Sequence, residues 1–252
     1  MLGLGVSFYK LGGSNYIFGC EDLRDATDAA APTAVNLSLW LQNDTQVTVS
    51  RWTDQSGNNN HATQDTAENQ ATVVNGGLDF ERGESDRYDL ANNTVITDDQ
   101  GFCLVGVFEL ESTGDNTIFS DTNNELIKLA GSSGSRIRMN FNDPSNETCD
   151  LDVASGTFPK DEKFLIMINR SAGSSGECTY EVFKNGAAVA HTAGQNNTSN
   201  HGFSFDTLGA RGDASADQFL DGKILELAFW SRQLTTQEVA DVNDYLKTIH
   251  GL

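Results

Sequence analysis

Basic residues are scarce: 16 Lys and Arg stand against 36 Asp and Glu, a formal net charge of −20. That scarcity argues against a nucleic-acid partner, because neutralising a phosphate backbone takes clustered cations and no Lys/Arg cluster is present. An anionic membrane surface is disfavoured for the same reason. No apolar run is long enough to span a bilayer. The first ten residues lack the basic start, long apolar stretch and small-residue cleavage site of a secretory signal, so synthesis in a cytosol is expected. The chain has 4 cysteines, none in a C-x-x-C and none beside a histidine, which leaves no zinc pattern. Cys20, Cys103, Cys149 and Cys178 are expected as free thiols, with Cys103 a small buried group inside an apolar run. Only 3 prolines occur, but 24 glycines do, amid abundant Asn, Ser, Thr and Asp, and this usage suits many short strands joined by polar turns.

The most informative stretch is Arg51 to Gln64. A strand ends on Trp52, a polar turn follows on Asp54, Ser56, Gly57 and Asn58, and the chain re-enters strand at His61. Asp, Ser and Asn bond nearby backbone amides and Gly57 accepts a positive φ, so a tight, self-satisfied loop is expected. Strands are expected at Val35–Leu41, Val47–Trp52, Gly77–Phe80, Tyr88–Leu90, Thr117–Phe119, Leu126–Leu129, Arg136–Phe141, Phe203–Leu208 and Lys223–Trp230. Phe102–Phe108 and Phe164–Ile168 are apolar on both faces, the mark of central strands covered on each side. Arg136–Phe141 alternates, placing Ile137, Met139 and Phe141 inward. Asn185-Gly186 between two short strands predicts a type I′ hairpin. From Leu234 the period changes to that of a helix. Thr235 and Glu238 form a capping box, Leu234 and Val239 a staple, and Val239, Val242, Leu246 and Ile249 share one face up to Gly251.

Three features together resemble concanavalin A-like jelly rolls of the laminin-G-like kind. They are the Trp52-x-Asp54-x-Ser-Gly-Asn loop followed by Gly77–Phe80, the Phe183–Gly186 hairpin, and the run Phe219 through Thr235. A narrower resemblance joins the Met-Leu-Gly-Leu-Gly start, the same loop, Leu151–Phe158 and Leu208–Gly222 to virion structural proteins of marine bacteriophages. The fold these resemblances imply is all-β. It is a two-sheet antiparallel jelly-roll sandwich over residues 34–252 with one short C-terminal helix, preceded by an N-terminal arm, residues 1–33. The function they imply is a virion surface protein, a capsid decoration or head fibre made in the host cytoplasm. Its arm would contact capsid or other virion proteins through Leu2, Leu4, Val6, Phe8 and Tyr9, because alternating apolar residues invite strand addition. A homo-oligomer is expected. The alternatives are a tail-fibre or surface lectin module binding host glycans, with Trp40 and Trp230 as its aromatic platform, and a carbohydrate-active enzyme.

The sequence disfavours the enzyme alternative. Jelly-roll glucanases set their carboxylates on one strand as E-x-D-x-x-E, and that motif is absent. The same-face pairs Glu109/Glu111 and Asp150/Asp152 stand about 6.5–7 Å apart by strand geometry and read as solvated strand faces. The four histidines His61, His191, His201 and His250 show no metal-ligand spacing. No cofactor is expected. Calcium, if bound, would be held by Asp54, Asn58 and Asn60 or by Asp213, Asp217 and Asp221, since it favours clustered side-chain oxygens. Arg211-Gly-Asp213 reads as a turn between strands.

Overall fold

A computed structural model of the protein describes residues 34–121, 125–131, 133–141, 147–174, 177–193, 200–212 and 218–252. Residues 1–33, with the expected contacts Leu2, Leu4, Val6, Phe8 and Tyr9, lie outside the described residues, as do Cys20, Asp213 and Asp217.

In chain order the first strands are β1 (Leu37–Leu41), β2 (Val47–Thr48), β3 (Arg51–Trp52), β4 (Ala62–Thr63), β5 (Thr72–Val74) and β6 (Gly77–Phe80). Then come β7 (Tyr88–Ile96), β8 (Phe102–Leu110), β9 (Asn116–Ser120), β10 (Leu126–Ala130), β11 (Arg136–Asn140) and β12 (Thr148–Val153). The last are β13 (Lys163–Arg170), β14 (Tyr180–Lys184), β15 (Ala187–Ala188), β16 (His191–Ala193), β17 (Phe203–Leu208) and β18 (Gly222–Trp230), followed by helix α1 (Thr236–His250).

These strands form two antiparallel sheets, the jelly-roll sandwich anticipated from the sequence. The first runs β15-β14-β13-β8-β18-β6-β5, with β1 also on β18; the second runs β16-β12-β11-β10-β9-β17-β7-β4-β3-β2. β8 and β13 sit centrally because both their faces are covered. One face of β8 gives Phe102, Leu104 and Phe108 to the core between the sheets. The other gives Cys103, Val105 and Val107 to a second apolar layer beneath α1. Aromatic rings dominate the main core: Phe119 stacks on Phe205 at 4.2 Å, and Phe229 meets Phe205 edge-on at 4.9 Å. Such pairs contribute about 0.5–1.5 kcal/mol each beyond their buried area.

Local signals act as their chemistry dictates. Asn185 and Gly186 take φ of 50° and 79°, the two positive values a type I′ turn needs. Thr235 and Glu238 close the capping box of α1, and Gly251 ends the helix with φ of 66°.

Some expectations are corrected. Val47–Trp52 is not one strand but the hairpin β2–β3, turning at Val49 and Ser50, because the Thr48 hydroxyl accepts the Arg51 amide and closes the chain on itself. β7 runs on to Ile96, well past Leu90. Ile249 is 48% exposed, since the last turn of α1 buries His250 instead. The His250 Nε2 lies 2.8 Å from Glu226 Oε2, and Trp40 Nε1 donates to Glu226 Oε1 at 2.9 Å. Lys163 donates to the His250 carbonyl, fastening the helix end to β13.

Candidate functional site

The Trp52–Asn60 loop is organised by one buried carboxylate. Asp54 Oδ1 accepts the amides of Trp40 and Ser56, each at 2.9 Å. Its Oδ2 accepts the Ser56 hydroxyl at 2.8 Å and the Asn60 amide at 2.9 Å. A carboxylate has about four acceptor positions, so Asp54 is saturated by the chain itself and has none left for a cation. The Asp54 amide donates to His61 Nδ1 at 3.1 Å. Burial, reinforced by Arg51 and opposed by Asp54, lowers the His61 pKa, which keeps that nitrogen an acceptor. Gly57 takes φ of 90° at the loop tip.

The same loop reaches outward to neighbouring strands. Asn58 Nδ2 donates to the Leu37 carbonyl at 2.7 Å and to Ser56 Oγ at 3.0 Å. Asn60 Oδ1 accepts the Asn92 amide at 2.7 Å, and its Nδ2 donates to Thr94 Oγ1 at 3.2 Å. β7 bulges here. Phe205 of β17 pairs with Thr94 but Thr207 with Asp89, so the β7 side carries extra residues. A bulge re-aims side chains away from the alternating pattern, and Ala91, Asn92 and Asn93 are all exposed in succession.

Beyond the bulge opens a groove of about 490 Å³, walled by Asn36, Ser38, Asn58, Asn92, Asn93 and Val95, with Gln100 and Ser231 at one end. Gln100 is fixed: its Nε2 donates to the Ser231 carbonyl at 2.6 Å and its Oε1 accepts the Thr97 amide at 3.0 Å. The carbonyl of Gln100 takes donors from Arg170, a fully buried guanidinium lying 4.8 Å over the Phe102 ring. The Asn92 and Asn93 side-chain amides, by contrast, have no partner among the described residues and face solvent. The groove thus joins fixed walls to free amide donors and acceptors.

The sequence-named candidates fall elsewhere. Trp40 and Trp230 are buried at 2% and 3% exposure under α1, so neither is a sugar platform. They lie on the outer face of the first sheet, and the helix takes the space a ligand would need. Every exposed large hydrophobic among the described residues is aliphatic: Val35, Val49, Val73, Val95 and Ile249. Asp221 offers its backbone amide to Asn116 Oδ1 and its carbonyl to Glu111. No three His, Cys, Asp or Glu side chains among the described residues group closely enough to hold a metal ion. Asn58 and Asn60 do belong to the site, as framework. Asn36, Asn92 and Asn93 were not singled out by the sequence, because Asn is abundant along the whole chain and nothing local distinguishes them.

The carboxylate pairs are each paired with cations rather than solvated. Asp150 is buried and takes Arg138 in a fork at 2.7 and 2.8 Å, while Arg136 reaches Asp152 at 2.6 Å. Lys223 bonds Glu109 at 2.6 Å and stands 3.8 Å from Glu111. Pairing holds Arg138 and Lys223 above their ordinary pKa values, chiefly through the hydrogen bonds they donate to Asp150 and Glu109. Sequence reading also missed a buried carboxylate pair, Asp121 just after β9 and Glu125 just before β10. Ser204 donates its amide to Glu125 and its hydroxyl to Asp121 at 3.1 Å.

Two antiparallel sheets with a covering C-terminal helix define a jelly-roll sandwich. The chain belongs to the concanavalin A-like lectin/glucanases superfamily, whose laminin-G-like family model matches residues 82–240. Among solved structures it resembles a Trypanosoma rangeli sialidase mutant displaying trans-sialidase activity, with a TM-score of 0.55 and 14% identity over 87% of this chain and 34% of that one. It also resembles the binding domain of Paraclostridial Mosquitocidal Protein 1, with a TM-score of 0.53 and 15% identity over 84% of this chain and 52% of that one. The chain therefore spans about a third of the sialidases' length. No curated protein sequence matches. The sialidases overturn the expectation that the chain is no enzyme. A motif missing from one strand rules out only one way of placing carboxylates, and this fold is shared with enzymes.

Proposed function

We propose that this domain is a carbohydrate-recognition module and that the asparagine-walled groove is where it holds its ligand. The single observation that carries this reading is the set of unengaged Asn92 and Asn93 amides on a bulge pinned by Asn60. Amide side chains both donate and accept, which matches the paired donor and acceptor character of sugar hydroxyls. A rigid wall spares the ligand the ordering cost that a loose loop would impose. Val95, 56% exposed, supplies an apolar patch for a sugar's C–H face. Membership in a lectin and glucanase superfamily, and likeness to the binding domain of a mosquitocidal protein, support the same reading.

The wider setting we propose is a bacteriophage particle. The module would be displayed on the virion surface as a decoration or head-fibre protein, anchored by residues 1–33 through Leu2, Leu4, Val6, Phe8 and Tyr9. That part rests on the sequence resemblance and on the apolar alternation of the arm.

The test has two arms. On a glycan array the parent protein should bind a defined set of glycans, and the Asn92→Ala/Asn93→Ala variant, folded to the same melting temperature, should lose it. A blank array, or unchanged binding by the variant, removes the groove as the site. Separately, a chain lacking residues 1–20 should fold yet fail to join the particle; normal incorporation would remove the anchoring role.

A further inference from the structure

We infer that the groove selects uncharged oligosaccharides and rejects anionic ones, sialosides and uronates included. This rests on the carbohydrate reading above and specifies the ligand class. The residues that line the groove are Asn, Ser, Thr, Gln, Leu and Val without exception, so no ionised side chain faces it. Tight recognition of a carboxylate or sulfate draws on a guanidinium or an ammonium, whose charge compensates the anion; the side-chain amides here can donate to an anion but bring no such charge. The cations that border the groove are already committed. Arg232 reaches the Val35 carbonyl at 3.0 Å but spends its charge on Glu238, at 2.6 and 2.8 Å. Arg170 is fully buried, and its donors go to the carbonyls of Gln100 and His201.

The surrounding field adds repulsion. Between Val95 and Gln100 the chain carries the exposed Asp98 and Asp99, and the chain as a whole is at −20. An anionic sugar would give up water to enter a groove of neutral dipoles within a negative field. A neutral chain of hydroxyls would instead exchange water for amides of matching polarity. No aromatic ring stacks on the sugar here, so the binding enthalpy comes from hydrogen bonds with Asn36, Asn92 and Asn93 and from contact with Val95.

The experiment is calorimetric titration of the full chain with neutral hexasaccharides of glucose, mannose and galactose, and with sialyllactose and trigalacturonate, each at low and at 0.15 M salt. The expected result is binding of at least one neutral hexasaccharide, unchanged by salt, weakened tenfold or more in Asn92→Ala/Asn93→Ala, and no heat from either anion. The variant Asn93→Lys, an exposed position, should gain affinity for the anions that falls as salt rises. Binding of an anion by the parent as tightly as any neutral sugar overturns this inference and leaves carbohydrate recognition standing. No heat from any sugar overturns both.

Discussion

Replacing Asp54 with alanine removes the acceptor on which four donors converge: the amides of Trp40, Ser56 and Asn60 and the Ser56 hydroxyl. The hydroxyl can turn elsewhere, but the three amides cannot. Each buried donor left without an acceptor costs about 1–3 kcal/mol, reduced where water enters the space vacated by the carboxylate. A total of about 4 kcal/mol follows, and at roughly 2–4 °C per kcal/mol for a protein of this size the melting temperature should fall by about 8–16 °C. Asp54→Asn is the informative companion. Its oxygen still serves the Trp40 and Ser56 amides; the Asn60 amide and the Ser56 hydroxyl meet an NH₂ group, and since the hydroxyl can turn to accept from it, the loss should be about 1–3 kcal/mol. Circular dichroism melts read both variants at pH 7. The order parent, Asp54→Asn, Asp54→Ala is expected. An Asp54→Ala melt within 3 °C of the parent, or two variants of equal stability, would refute the donor-counting argument. Asn58 and Asn60 hang on the same hub, so the groove ligand should be lost along with the stability.

Breaking the Trp40–Glu226–His250 network with His250→Ala should cost about 3 kcal/mol in urea unfolding, because Glu226 stays buried with one partner fewer; His250→Leu/Glu226→Leu should recover much of it. Burial raises the carboxyl pKa of Asp86, with Glu84 adding and the Glu81 amide opposing, and burial raises that of Glu125 as well. A raised folded pKa means the folded state holds its proton longer than the unfolded chain. These groups therefore stabilise fully below the ordinary carboxylate range of about 4, and the contribution is lost as pH rises through the folded values. The melting temperature should fall as pH rises from about 4 towards neutrality, and Asp86→Asn, which keeps the acceptor for Glu81, should flatten that slope. A steeper slope in the variant would contradict it. Burial pushes the Cys149 thiol up to about 12 and that of Cys103 well above its usual value, and Cys178 is raised too. Ellman's reagent should leave all three unreacted in the native protein and label them in denaturant; rapid native labelling of Cys103 would contradict their burial.

Much of the fold could be read in the sequence because it is written locally. Period-two alternation marked β11, doubly apolar runs marked β8 and β13, and Asn185-Gly186 and Thr235–Glu238 each carried their own geometry. The hidden elements depend on partners far along the chain. β5 and β16 are short edge strands with exposed residues and little pattern of their own. The bulge in β7 exists because β17 and Asn60 hold it from either side. The site was half visible. The loop announced itself through Asp54, Asn58 and Asn60, yet those residues serve as scaffold, while the free groups on Asn92 and Asn93 lie over 30 positions further on. The tryptophans misled because β1 and most of β18 put apolar residues on both faces, and only the docked helix says which face is covered.

The most direct measurement is an amide chemical-shift titration of the isotopically labelled protein with a neutral hexasaccharide. Shifts confined to Asn36, Asn58, Asn92–Val95 and Gln100, saturating with one affinity and absent from Asn92→Ala/Asn93→Ala, are the predicted result. Saturable shifts centred instead on the outer face of the second sheet, around Arg138 and Asp150, or no saturable shift with any hexasaccharide, would contradict the assignment of the groove.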